Sequence, residues 1–121
     1  MAELTDAEVD RRFDVALAFV KSLPADGPIK PSTEDQLKFY SFFKQATIGQ
    51  CNEKQPSRLK VVQRFKWDAW NTLGKMSKRE AKMKYVEALL AMAKRMPSST
   101  ERDKLLNDLE SKAGTAAVSK L

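Results

Sequence analysis

The chain has 121 residues, enough for one domain, with 22 basic and 16 acidic side chains for a net charge of +6. Histidine is absent and cysteine occurs once, at Cys51, which excludes a Ser-His-Asp or Cys-His catalytic pair, a His-based zinc site and an intrachain disulfide. Apolar runs are far shorter than a membrane span, and Met1–Asp6 lacks the basic and apolar regions of a signal peptide, so neither is expected.

The first predicted helix opens at Thr5-Asp6-Ala7-Glu8, whose spacing matches a capping box. Val9, Phe13, Ala16, Leu17, Val20 and Leu23 line one of its faces, and Gly27 with Pro24 and Pro28 closes it. A second helix opens at Thr33-Glu34-Asp35-Gln36 and stops at Gly49; Leu37, Tyr40 and Lys44 share a face, with Phe39 and Phe43 beside them. Gly49 to Lys60 reads as an irregular connection, long enough for the flanking helices to run roughly parallel. The third helix has no capping box; Val62, Phe65, Ala69, Trp70 and Leu73 form its apolar stripe, and Gly74 ends it. The fourth opens at Ser77-Lys78-Arg79-Glu80, carries Ala81, Tyr85, Ala88, Met92 and Met96 on one face, and ends before Pro97. A weaker fifth helix follows a box at Ser98-Ser99-Thr100-Glu101, with Leu105, Leu106 and Leu109 as its apolar stripe. No period-2 strand is evident, and four glycines are few for a turn-rich all-β fold. The expectation is an all-α bundle over residues 1–97 with a partly helical extension over 98–121.

Charge is uneven along these elements. Residues 1–53 carry six basic and nine acidic side chains, whereas residues 54–84 carry ten basic against Asp68 and Glu80 alone. Such a segment attracts polyanions: phosphates, nucleic acid or an anionic membrane surface. Catalytic patterns are missing. There is no Gly-x-Gly-x-x-Gly, Walker loop or Asp-rich calcium loop, and Cys51 has no evident base beside it. Binding is better supported. Tyr40 and Lys44 lie one turn apart, Lys66 sits beside Trp67, and Tyr85 projects from the fourth helix. Tyrosine and lysine together suit a phosphorylated nucleotide, a ring for the base and an ammonium for the phosphate. Each also has a plainer explanation: core-edge tyrosines, solvated lysines, and Trp67 and Trp70 as core.

The blocks Tyr40-Ser41-Phe42-Phe43-Lys44-Gln45-Ala46-Thr47-Ile48-Gly49 and Lys66-Trp67-Asp68-Ala69-Trp70-Asn71, followed by the Ser77 to Tyr85 block, resemble the acyl-CoA-binding protein family from about Phe13 to Met96. The resemblance implies a four-helix bundle of up-down-down-up topology and a non-enzymatic carrier, without cofactor or metal, for one long-chain acyl-CoA. By motif position, Tyr40, Lys44 and Lys66 would hold the adenine and 3′-phosphate ribose, and Tyr85 would close the site. Phe43 stands where the family commonly has Tyr, keeping a ring without the hydroxyl. Counting from Phe13, Leu17 and Lys21 would line the head-group side, and Leu37 would touch the acyl chain. Pro24 to Pro31 is longer than usual and would border the acyl groove.

Ser119-Lys120-Leu121 matches the peroxisomal address. It points to a peroxisomal import receptor as partner and to the peroxisome as location, with the cytoplasm as the alternative. Acyl-CoA-using enzymes are further expected partners, the chain is expected to be a monomer, and no nucleic acid is expected. The competing reading is a small basic helical module binding a protein or nucleic acid. It lacks a helix-turn-helix or stacking-platform pattern, and the acidic first half opposes it.

Overall fold

Side-chain oxygens accept from the backbone N–H groups that start most of these helices. In the computed structural model, residues 4–23, 30–97 and 99–110 are described, and they form α1 (Asp6–Ser22), α2 (Thr33–Thr47), α3 (Val61–Thr72), α4 (Lys78–Lys94) and α5 (Thr100–Glu110). Thr5 Oγ1 accepts from Glu8 N at 3.1 Å and Ser77 Oγ from Glu80 N at 3.0 Å, the N-cap half of the box that the spacing predicts. The α2 box lies one residue earlier than expected. Ser32 Oγ accepts from Asp35 N at 3.0 Å, and the Asp35 carboxylate accepts from Ser32 N at 3.1 Å. Asp35 outcompetes Gln36 for this place because its carboxylate also receives the Arg95 guanidinium at 2.8 and 2.9 Å. Burial pushes the Asp35 pKa up, but the Arg95 and Ser32 hydrogen bonds outweigh it and hold the carboxyl below its ordinary value. The α5 cap is likewise displaced, to Ser99, whose Oγ accepts from Arg102 N at 3.1 Å. As expected, α3 starts at Lys60 without a side-chain cap.

Paired residues give the helix directions. Asp6 meets Arg79 at 2.7 Å, Asp10 meets Lys82 at 2.6 Å, and Phe13 meets Tyr85 with ring centroids 5.3 Å apart, so α1 and α4 run the same way. Asp35 pairs with Arg95 at the far end of α4, whereas Gln45 reaches Met76 just before its start, so α2 runs opposite. Lys66 lies over Tyr40 and Trp70 beside Lys44, so α3 runs with α2. The result is an up-down-down-up bundle, with no strand among the described residues. α5 then folds back antiparallel to α4: Arg102 Nε donates to Ala93 O at 2.9 Å, and Arg11 donates to Asp108 O at 2.9 Å. Leu105 and Leu109 of α5 are buried in the common core.

α4 packs most extensively on α2 and also meets α1 and α5. It therefore buries a wider face than the stripe read from the sequence: Val86, Leu89 and Ala93 join Ala81, Tyr85 and Met92. α3 shows the opposite correction. It packs chiefly on α2, and only Trp70 is buried, while Val62 and Phe65 of the expected stripe stay exposed. A helix with one substantial neighbour can cover only one side, so its remaining apolar positions face water. Pro24, Gly27 and Pro28, the Ser98 of the expected cap, and Ser119, Lys120 and Leu121 lie outside the described residues.

Gln45 is fully buried and bolts α2 to the turn before α4. Its Nε2 donates to Gly74 O at 3.0 Å and Met76 O at 2.7 Å, and its Oε1 has no partner. Replacing Gln45 with Met keeps much of the volume and strips both bonds. Urea unfolding of this variant is expected to show a loss of about 1–3 kcal/mol.

Candidate ligand-binding site

The end of α2, the connection after it and α3 are tied together by two indoles. Gly49, with φ +104°, takes the left-handed backbone that turns the chain out of α2, and Trp70 Nε1 donates to its carbonyl at 2.9 Å. Beyond Gly49 the connection still leans on α3, because the loop's Glu53 carbonyl accepts from Trp67 Nε1 at 2.7 Å. These two bonds set the loop against α3, and a pocket of about 430 Å³ opens between the loop, α3 and Tyr40 of α2.

Two ammonium groups flank the Tyr40 ring. Lys66 Nζ lies 5.3 Å from its centroid and Lys44 Nζ 5.8 Å, both within cation–π range. Lys44 also lies 5.0 Å from the Trp70 ring and forms an ion pair with Glu53 Oε2 at 3.5 Å. Tyr40, Lys66 and Trp67 line the pocket from the helices, and Glu53, Lys54 and Lys60 line it from the loop and its junction with α3. The wall therefore carries three lysines against one carboxylate, beside two half-buried aromatic rings. Such a site can hold a flat, electron-rich ring and one or more phosphates.

The structure thus brings Tyr40, Lys44 and Lys66 together. Leu37 is half-buried on α2 one turn before Tyr40, and Phe43 is half-buried against the core. Leu17 packs partly buried on the core from α1, and Lys21 is exposed in the last turn of that helix. Tyr85 is buried in the core. Its side chain is only 3% exposed and is wedged between the rings of Phe13 and Phe39, with centroids 5.3 and 5.2 Å away. It is not among the residues lining the pocket.

Two features of the site escape the sequence reading. Trp67, for which a core position is the plainer reading, is a wall of the pocket, because that side of α3 is left uncovered. Glu53 has no periodic or motif signal at all; its pairing with Lys44 depends on how the loop folds back. Lys54 and Lys60 could be found only as members of the basic segment that begins at residue 54.

An all-α bundle carrying a lysine- and aromatic-lined pocket beside its third helix defines a ligand-binding domain. The acyl-CoA-binding protein family model matches residues 10–89, and the chain belongs to that family. Acyl-CoA-binding domain-containing protein 5 of Xenopus tropicalis is 46% identical over 95 residues, covering 78% of this chain and 21% of that protein. Human acyl-CoA-binding domain-containing protein 4 is 35% identical over 107 residues, covering 88% of this chain and 40% of that protein. The chain thus spans about a fifth of the length of the first of these relatives. A crystal structure of ACBP from Moniliophthora perniciosa superposes with a TM-score of 0.78 at 40% identity, over 90% of this chain and 98% of that one.

The buried position of Tyr85 has two measurable consequences. Tyr85→Ala is expected to lower stability by about 3–5 kcal/mol in urea unfolding, the range for a large aromatic removed from a core. Burial also pushes the Tyr85 phenol up from 10.0 to about 12. The folded chain then keeps a proton that the unfolded chain has lost. The resulting stability is complete below the ordinary value and disappears as pH rises toward about 12, a loss of at most about 3 kcal/mol. Tyr85→Phe should flatten this alkaline limb when unfolding is followed against pH.

Proposed function

We propose that the chain is a non-enzymatic carrier that binds, transports and buffers long-chain acyl-CoA esters. The observation that carries this reading is the Tyr40 ring set between the Lys44 and Lys66 ammonium groups at the mouth of the pocket, in a chain of the acyl-CoA-binding protein family. In this reading the adenine lies against Tyr40, and the 3′-phosphate takes charge-assisted hydrogen bonds from the lysines. Leu37 meets the acyl chain, and Leu17 and Lys21 line the head-group side, as the family resemblance implies. Phe43 keeps a ring near the site without offering a hydroxyl. Tyr85, packed between Phe13 and Phe39, closes the same site from α4, as the family resemblance implies.

Magnitudes assign the roles. Each buried methylene contributes about 0.8 kcal/mol, so twelve have a ceiling near ~10 kcal/mol before ordering costs. Exposed ion pairs contribute only about 0–1 kcal/mol each. Chain burial therefore dominates affinity, and the Tyr40 and lysine set selects a CoA ester over a free fatty acid.

Calorimetric titration tests this directly. Palmitoyl-CoA is expected to bind one-to-one and at least about 100-fold more tightly than CoA, with palmitate giving little heat. Comparable heats for palmitate and palmitoyl-CoA would overturn the proposal. Lys44→Ala and Lys66→Ala should each weaken palmitoyl-CoA binding by about two- to fivefold, with helical circular dichroism unchanged. Glu53→Gln should act in the opposite direction. It frees Lys44 from its internal carboxylate partner and is expected to tighten binding about two- to fivefold, the scale of a partly exposed ion pair.

A further inference from the structure

α5 lies beyond residues 10–89, the stretch that places the chain in its family, yet it completes the core. Leu109 is fully buried and Leu105 nearly so, one helical turn apart, and both join the cluster that holds Phe13, Ala16, Leu89 and Ala93. A helix of 11 residues is too short to persist alone, so these anchors hold it. Glu101, Asp103, Lys104 and Asn107 on its other side are exposed.

Arginines tie both of its ends. Arg102, in the first turn of α5, donates from Nε to Ala93 O in the last turn of α4 at 2.9 Å. Arg11 of α1 donates from Nη2 to Asp108 O in the last turn of α5 at 2.9 Å. Carbonyls at a helix end lie at the negative pole of its dipole and lack intrahelical partners, so a guanidinium suits them. The buried Glu8 carboxylate holds Arg11 for this contact, accepting from its Nε and Nη2 at 3.1 and 2.9 Å. Among the described residues, α1 packs substantially on α4 and α5 and on no other helix. Without α5, α1 would keep one such neighbour.

We propose that α5 is a strap that holds α1 on α4, which makes Leu105, Leu109 and Arg102 positioning residues for the side of the ligand site that α1 supplies. Phe13, Leu17 and Lys21 recur every four residues and so lie on one side of α1. Phe13 shares its core cluster with Leu105 and Leu109, and a rigid helix carries that anchoring to Leu17 and Lys21. A wall fixed before the ligand arrives lowers the ordering cost of binding. The contact of Leu17 and Lys21 with the ligand rests on the carrier reading above; the anchoring of α1 does not.

Hydrogen exchange of the ligand-free full chain, followed by palmitoyl-CoA titration, tests the proposal. Leu105→Ala weakens the strap's anchor and leaves Leu109 in place. Arg102→Ala removes the tie to α4, and Arg102→Lys keeps a donor there. In Leu105→Ala the amides of α1 are expected to exchange about tenfold faster or more, relative to those of α2 and α3. Arg102→Ala should act in the same direction, with Arg102→Lys closer to the parent chain. Below its unfolding transition, Leu105→Ala should bind palmitoyl-CoA about two- to fivefold more weakly. That loss should be coupled to α1: Lys21→Ala should add little in Leu105→Ala, whereas Lys66→Ala should keep its full effect. Should Leu105→Ala fail to fold, the two Arg102 variants carry the same comparisons. Three results would overturn the proposal: an equal rise in exchange across all helices, parent-like affinity in the folded strap variants, or additive effects of the strap variant and Lys21→Ala. Failure of the parent chain to bind palmitoyl-CoA, with α1 exchange responding as expected, would count against the carrier alone.

Discussion

The packing of α2 on α4 is the constraint on which the rest of the structure depends. It is pinned at both ends by polar groups of opposite kinds. At one end Arg95 grips the Asp35 carboxylate, which at the same time caps α2. At the other, the buried Gln45 amide donates to two carbonyls of the turn that precedes α4. Between them Tyr85 fills the space against Phe39 and Phe13. Directional bonds at the ends fix the register, and the aromatic packing supplies the area removed from water. With α2 held in this way, Tyr40 and Lys44 fall on the side of the helix that faces α3.

That side is built for charge more than for shape. Two ammonium groups, Lys44 and Lys66, flank a single phenol ring, and Glu53 pairs with the first of them. Such pairs are individually weak because water screens them. They are effective as selectors because the arrangement is held in place beforehand. Trp70 fastens α3 to Gly49, and Trp67 fastens the loop to α3, so the cations stay together without a bound anion to organise them. Glu53 partly neutralises Lys44 in the same arrangement. Mutual repulsion among the lysines is thereby reduced while the site is free of an anion.

The corrections to the sequence reading share one origin. Helix starts were legible to within a residue, because a cap is a contact between residues three apart. The two displaced starts differ only in which of two adjacent hydroxyl side chains serves as the cap, and for α2 a carboxylate engaged by distant Arg95 decides it. Apolar stripes were less legible. The stripe of α1 matches its buried face at Val9, Phe13 and Ala16, because α4 and α5 both cover it. On α3 the same kind of stripe leaves Val62 and Phe65 in water, because periodicity shows which residues share a face but not whether another helix lies there.

By itself, the sequence determined the five helices, their order, the basic middle segment and the grouping of Tyr40, Lys44 and Lys66 through the motifs that carry them. These follow from local hydrogen bonding, turn chemistry and short-range spacing, which any segment expresses without reference to distant residues. The tertiary structure alone decided that Tyr85 belongs to the core, that Trp67 is a pocket wall, that Glu53 meets Lys44 and that the start of α3 carries an apolar edge into solvent. Each of these depends on which surface a neighbouring element covers. That is settled by long-range packing and loop closure rather than by the residues on either side.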